Sequence, residues 1–247
     1  MTQPNTPYQG SKIKLYFGST VLLICMVSSS LVFGPLVLLC YPLPFSVRYR
    51  LASLWVSFVM LIAQVFCGIH HEIEGLEHIK GIKTAIVLSK HQSAWETIAL
   101  RLILPTQTAL LKRSLLWLPV WGWALATLKP IAIDRQNQRA ALKTLLKQGK
   151  ACLSDGIWVV VFPEGTRTAP GEVKKFNAGG AILAEKSGYP VIPVAHNAGH
   201  CWSRNSFLKY PGTITVKIGP VIESKGRKAA QINKQAAEWI AQAMTGL

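Results

Sequence analysis

Two long uncharged stretches open the chain. Positions 15–47, between Lys14 and Arg48, and positions 51–71, between Arg50 and Glu72, hold no Lys, Arg, Asp or Glu, and only Arg48-Tyr49-Arg50 separates them. Runs this long and apolar predict two lipid-seeking helices. In the first, Gly34-Pro35 and the later Pro42 and Pro44 are expected to interrupt the helix, leaving 15–33 as the best spanning segment. It lacks a small-residue cleavage site before a polar region, so it is expected to be retained and not removed as a signal peptide. In the second, Ser53, Ser57, Gln64 and Gly68 fall on one helical face. A two-span hairpin would place Arg48 and Arg50 on the side opposite the basic remainder of the chain, against the positive-inside tendency. The pattern therefore favours a hairpin dipping into one leaflet over a pair of spanning helices. Residues 1–70 form this membrane-associated unit and 71–247 a second one.

From residue 83 the pattern changes. Short apolar runs at 85–88, 108–111, 130–133, 157–162, 191–195 and 213–218 read as strands, with helical patterns between them. The clearest helix covers 138–153, with Leu142, Leu145, Leu146 and Leu153 on one side and Arg139, Lys143, Lys147 and Lys150 on the other. That basic face is either a solvated surface or a docking face for anionic lipid or an acidic carrier protein. A last helix at 228–244 is expected to act as a cover. The alternation predicts an α/β fold: a mixed central sheet with helices on both faces, preceded by the two-helix membrane motif.

Composition supports the lipid reading. Half of the residues are hydrophobic and the mean hydropathy is +0.28, with the excess before residue 70. Lys and Arg number 27 against 11 Asp and Glu, a formal charge of +16, so the expected partners are anionic: phospholipid head groups, an acidic carrier protein or nucleic acid. Nucleic acid is set aside, because the chain has no zinc-finger spacing, RNP-type aromatic motif or basic heptads. Cys25, Cys40, Cys67, Cys152 and Cys201 are odd in number and form no CxxC pair, which predicts free thiols and no structural zinc. His196 and His200 have ligand-like spacing, but Asn197 and Gly199 argue against a helix there, so no metal is expected. His70 and His71 are expected at the membrane interface.

The candidate chemistry lies in two loops. After the strand at 85–88 comes Lys90-His91-Gln92-Ser93-Ala94-Trp95-Glu96, leading into an apolar helix. A histidine at a strand's carboxyl end faces the crevice where α/β sheets bind ligands, and an acid five residues on can fold back to its ring. Glu96 would then fix the tautomer and leave the other ring nitrogen free to act as a general base. After the strand at 157–162 comes Phe162-Pro163-Glu164-Gly165-Thr166-Arg167-Thr168, which offers a carboxylate, a flexible glycine, a hydroxyl and a phosphate-binding guanidinium at the same sheet edge.

These loops, with Lys129-Pro-Ile-Ala-Ile-Asp134-Arg135 and Val191-Ile-Pro193-Val-Ala195, stand in the order found in the glycerolipid acyltransferase family, which the chain resembles over roughly residues 75–222. The stretches from Leu111-Lys112 to Pro119 and from Lys174 to Gly179 are similar too. One position departs: Glu96 stands where the family has aspartate, with one more methylene and the same charge. The resemblance implies that a fatty acyl group passes from acyl carrier protein or coenzyme A thioester to the sn-2 hydroxyl of 1-acyl-sn-glycerol 3-phosphate (lysophosphatidic acid), giving phosphatidic acid without a cofactor. Glycerol 3-phosphate or another lyso-lipid is the alternative acceptor. His91 and Glu96 would be catalytic; Glu164, Gly165, Thr166 and Arg167 would seat the glycerol phosphate, with Lys112 and Arg135 as further phosphate contacts and Pro193 shaping the donor side. Membrane phospholipid would be a partner, with the α/β domain on the cytoplasmic side of the inner membrane. Two other classes remain on the residues alone: a lipid- or carrier-binding protein without activity, and a hydrolase in which His91 activates water.

Overall fold

A computed structural model describes residues 8–134 and 136–247. Helix α1 (Lys12–Leu39) starts at Ser11, whose side chain accepts from Lys14 N, and runs through Pro35 without ending. The expected break therefore does not occur. A proline interior to a helix forfeits one backbone bond and crowds the preceding turn, a cost that packing by neighbouring elements offsets in apolar surroundings. Here Gly34 lets Val120 approach so closely that an added Cβ would lie 3.0 Å from its Cγ1. Helix α2 (Phe45–Cys67) ends at Gly68, whose φ of 65° turns the chain directly into strand β1 (Ile69–Glu74).

Both helices are long and apolar enough to cross a membrane. Their hydroxyls need no water: Ser19, Thr20, Ser28, Ser29, Ser53 and Ser57 each donate to a carbonyl four residues back. The polar stripe expected on α2 is exposed at Ser57 and Gln64, but Leu54, Leu61 and Val65 are exposed as well. The outward surface of the pair is thus mostly apolar, with Ile13, Phe17, Ile24, Leu31 and Leu39 contributed by α1. Their inward faces dock on the rest of the protein at both ends. Ser19 Oγ accepts from Lys209 N at 2.9 Å, and Leu22 and Val56 join the main core. At the other end Val37 packs with Ala52, Ala124 and Leu128.

The remaining elements alternate: β2 (Ile86–Ser89), α3 (Trp95–Ile103), β3 (Gln107–Lys112), α4 (Trp121–Ala126), β4 (Ile131–Ile133), α5 (Gln138–Ser154), β5 (Trp158–Val161), α6 (Gly179–Ser187), β6 (Val191–His196), α7 (Ala198–Cys201), β7 (Gly212–Ile218) and α8 (Ala229–Met244). The seven strands are ordered β1-β7-β6-β2-β5-β3-β4, and all neighbours are parallel except β6 and β7. The sheet is mixed, as the pattern predicted. One face packs on α2 and α3 through Val87, Val160, Ile192 and Trp95; the other packs on α5, α6 and α8 through Ile86, Val159, Val191 and Leu183. Every residue of β2, β5 and β6 is buried, which explains their uninterrupted apolar runs.

All six expected strands are present. The seventh, β1, escaped the pattern because it is a largely exposed edge strand that pairs with β7 alone. His70 and His71, expected at the membrane interface, lie within it, directly after the end of α2. For the site, the useful consequence is the parallel pairing of β2 with β5, which brings the loops after Ser89 and Val161 to one edge of the sheet.

Gly18 is where α1 and α2 meet most closely: a Cβ there would lie 2.1 Å from the carbonyl oxygen of Phe66. Gly18→Val is expected to cost on the order of 1–3 kcal/mol of overpacking and to lower the thermal midpoint in detergent. An unchanged midpoint would show that the helices can part at no cost.

Candidate active site

The His91 ring is fixed from two sides. Its Nδ1 lies 2.8 Å from Glu96 Oε1, and Phe162 stacks on the ring with centroids 4.1 Å apart and planes 20° from parallel. Glu96 can reach back because it stands in the first turn of α3, where the free backbone N–H groups favour an anion. Its Oε1 also accepts from Gln92 N at 2.9 Å and Ser93 N at 2.8 Å, so the extra methylene relative to aspartate is absorbed within the loop. Burial alone would raise this carboxyl; the neighbouring His196 and His91 rings and the hydrogen bonds from His91 and Ser93 outweigh it and hold Glu96 below its ordinary range. An ionised Glu96 accepts a hydrogen bond from Nδ1–H, which fixes the proton on Nδ1 and leaves Nε2 with its lone pair.

The second loop grips the peptide of His91. Glu164 Oε2 accepts from His91 N at 2.8 Å, while His91 O accepts from Thr168 N at 2.8 Å and from Thr168 Oγ1 at 3.1 Å. Glu164 Oε1 pairs with the ammonium of Lys90, which also donates to Thr168 Oγ1 at 2.9 Å and to the Glu172 carbonyl at 3.3 Å. Lys90 and Glu164 are 6% and 2% exposed, so this is a buried ion pair joining the two loops. No local pattern assigns Lys90 or Thr168 a role, since the partners that join the two loops lie more than 70 residues away.

A cavity of about 760 Å³ opens beside His91. Thr166, Arg167 and Lys112 line it together with His91, and so do Arg204 and Asn205 from the turn after α7. Arg167 Nη2 lies 3.5 Å from Asn205 Oδ1, and Arg204 Nη1 donates to the Arg167 carbonyl at 2.8 Å. No motif marked Arg204 or Asn205. Most of the remaining wall is apolar, with Leu23, Met26, Val27 and Phe33 of α1, Trp55 of α2 and Ile98 of α3, interrupted by polar groups that include Ser30, Thr97 and Arg101. Volume and lining suit an amphiphile with an anionic head.

The other expected site residues lie elsewhere. Glu164 points into the protein, towards Lys90 and the His91 peptide. Gly165, with φ of 71°, makes the turn between Glu164 and Thr166. Pro193 is buried in β6 opposite Leu88 and packs against Gly219. Arg135 falls outside the described residues. His196 is fully buried, with Nε2 donating to the Lys90 carbonyl at 2.8 Å and Nδ1 accepting from Ala198 N at 3.3 Å. Burial holds its pKa below the usual imidazole value, which matches that neutral pattern. The backbone N–H groups of His91, Gln92, Ser93 and Trp95 are all committed to side chains. The two oxyanion donors expected from sequence, a backbone N–H near the start of α3 or the Lys112 ammonium, both remain on the cavity, which Ala94, Thr97 and Lys112 line.

Two outcomes follow from these buried charges. Lys90→Met strands the Glu164 carboxylate and is expected to cost about 3–5 kcal/mol; adding Glu164→Gln should recover part of the loss in denaturant titrations, and no recovery would mean the two do not act as a pair. Because folded His196 resists protonation, the unfolded chain binds more protons below about pH 6.5, and stability should fall as the pH drops from there. Glu96 adds a second loss at lower pH, as its depressed folded value is passed. A His196→Gln variant should be less stable at neutral pH yet show a flatter profile between pH 5 and about 6.5.

Comparison with known proteins identifies the family and the fold. A family model described as acyltransferase matches residues 70–197. A 1-acyl-sn-glycerol-3-phosphate acyltransferase of Pseudomonas aeruginosa is 46% identical over 231 residues, covering 91% of this chain and 90% of that protein. A relative of the same name from Limnanthes alba is 30% identical over 216 residues, covering 87% and 74%. The crystal structure of a 1-acyl-sn-glycerophosphate acyltransferase from Thermotoga maritima superposes with a TM-score of 0.80 at 22% identity, covering 95% of this chain and 96% of that one, and so shares its fold. With a matched model across the loops that build the His91 site, and a relative this similar over nearly its whole length, the chain belongs to the acyltransferase family.

Proposed function

We propose that the protein transfers a fatty acyl group from an acyl carrier protein or coenzyme A thioester to the sn-2 hydroxyl of 1-acyl-sn-glycerol 3-phosphate, giving phosphatidic acid and a free thiol. The observation that carries this is His91, held 2.8 Å from a buried Glu96 at the head of an apolar cavity that also takes in Arg167. Relatives named for this reaction support the choice of acceptor.

In the proposed reaction His91 Nε2 withdraws the proton of the acceptor hydroxyl while its oxygen bonds to the thioester carbonyl carbon. Glu96 stabilises the imidazolium that forms. The tetrahedral intermediate then collapses with cleavage of the C–S bond, and the departing sulfur takes the proton back from the ring. Arg167 presents a planar pair of donors to the phosphate, with Thr166 and Arg204 beside it. Lys112 serves the oxyanion, or the phosphate as expected from sequence, where Arg135 would be a further contact. No phosphoryl group or electron is transferred, so no metal or redox group is required.

The helix pair is proposed to lie in one leaflet on the cytoplasmic face of the inner membrane. Docking of α1 at both ends, on Lys209 near its start and on Ala124 and Leu128 near its finish, supports the single-leaflet placement, because a helix so held cannot stand clear of the domain.

Activity is to be measured with 1-acyl-sn-glycerol 3-phosphate and each thioester side by side, following phosphatidic acid. His91→Ala is expected to lower kcat by about 10²–10⁴-fold. Arg167→Lys should act chiefly on the acceptor KM, raising it by about 10–100-fold for the loss of a charge-assisted bond. Full activity in His91→Ala would remove the proposed base, and hydrolysis of the thioester at equal rate without acceptor would make the protein a hydrolase.

A further inference from the structure

The segment between β3 and β4 is unusually apolar and unusually exposed. Residues 114–128 carry no charge, and within them Trp117 is 75% exposed, Trp123 53%, Leu118 48% and Trp121 38%. An isolated exposed apolar side chain needs no explanation, but three tryptophans and a leucine within seven residues form a patch. It belongs to the α/β domain, not to the helix pair, so the membrane motif does not account for it.

Three observations say what covers it. The patch is continuous with the lipid-type surface of the helix pair: Val120 fits over Gly34, and Ala124 and Leu128 pack on Val37 of α1, whose neighbours Leu31, Val32, Leu36 and Leu39 are all exposed. Its chemistry is that of a bilayer boundary, where tryptophan rings concentrate and flanking cations meet head groups. Lys112 and Arg113 are exposed on its leading side and Lys129 follows it. Finally, the same segment supplies cavity wall, since Leu115, Trp121, Ala124, Leu125 and Leu128 face the cavity while Trp117 and Trp123 face outwards.

We infer that the segment 113–123 is a second membrane-contact element, seated in the head-group region of an anionic phospholipid leaflet, where it forms a lateral port through which an amphiphilic acceptor passes from the bilayer into the cavity. The acceptor class rests on the function proposed above; the membrane contact does not. With Trp117 and Trp123 holding the port at the boundary, the acyl chain of the acceptor stays in apolar surroundings throughout, and its phosphate stays level with Lys112 and Arg113.

The test uses the full chain reconstituted in vesicles of phosphatidylglycerol and phosphatidylethanolamine, with and without lipids brominated along the acyl chain. Trp117→Gln/Trp123→Gln, which leaves the cavity-lining Trp121 intact, should remove a bromolipid-quenchable part of the tryptophan fluorescence. The single variants guard against a misfolded double. On vesicle-borne acceptor the double variant should lose rate severalfold, while on acceptor dispersed in detergent it should keep the wild-type rate. Equal bromolipid quenching of wild type and double variant would overturn the inference. So would a Trp117/Trp123 signal that bromolipid cannot reach but that changes on dilution to monomers, which would assign the patch to a second copy of the chain. Because quenching needs no turnover, an inactive wild type would count against the proposed reaction and leave the membrane contact standing or falling by itself.

Discussion

The geometry around His91 depends on the way one loop holds the peptide of another. Both sides of the His91 backbone are bonded to the loop that follows β5, through Glu164 on its N–H and Thr168 on its carbonyl, and the Lys90 ammonium neutralises the carboxylate that makes this possible. A buried carboxylate without its counter-charge would be expelled towards water or protonated. The imidazole therefore has its position set by Glu164 and its orientation set by Glu96. Two acids of similar chemistry divide these tasks because one faces the backbone and the other the ring.

Much of this was legible in the sequence, and the exceptions have physical causes. Buried parallel strands are apolar throughout, so β2, β5 and β6 stood out, whereas the edge strand β1 reads as Ile-His-His-Glu-Ile-Glu and resembles a polar connection. The pairing of His91 with Glu96 could be read from spacing, since both ends lie in one turn. That Glu164 would turn inward could not, because its position in the motif shows only that a carboxylate is near, and the choice between ligand and Lys90 is made by tertiary packing. The same limit hid Arg204 and Asn205, whose approach to Arg167 depends on the path of the chain after α7. Pro35 misled for another reason: local propensity predicts a break, and contacts with α4 override it.

The cavity joins the two halves of the protein. Its polar head is built from loops at the carboxyl edge of the sheet, and its apolar length from α1, α2 and α3. Neither half encloses the space by itself. The main core shows the same mixing, since Leu22, Val56 and Val59 pack in one cluster with Val87, Trp95 and Ile214.

This shared wall bears on how the molecule comes to exist. During synthesis α1 and α2 leave the ribosome well before Ala124, Leu128 and Lys209, the groups that later cover their inward faces. For that interval the inward faces of the pair lack the protein that later covers them, and maturation includes the docking of the α/β domain onto one side of the pair. Gly68 is thus no seam between an anchor and an enzyme. A version cut there for solubility would lose a wall of its own cavity and expose the apolar floor of the sheet.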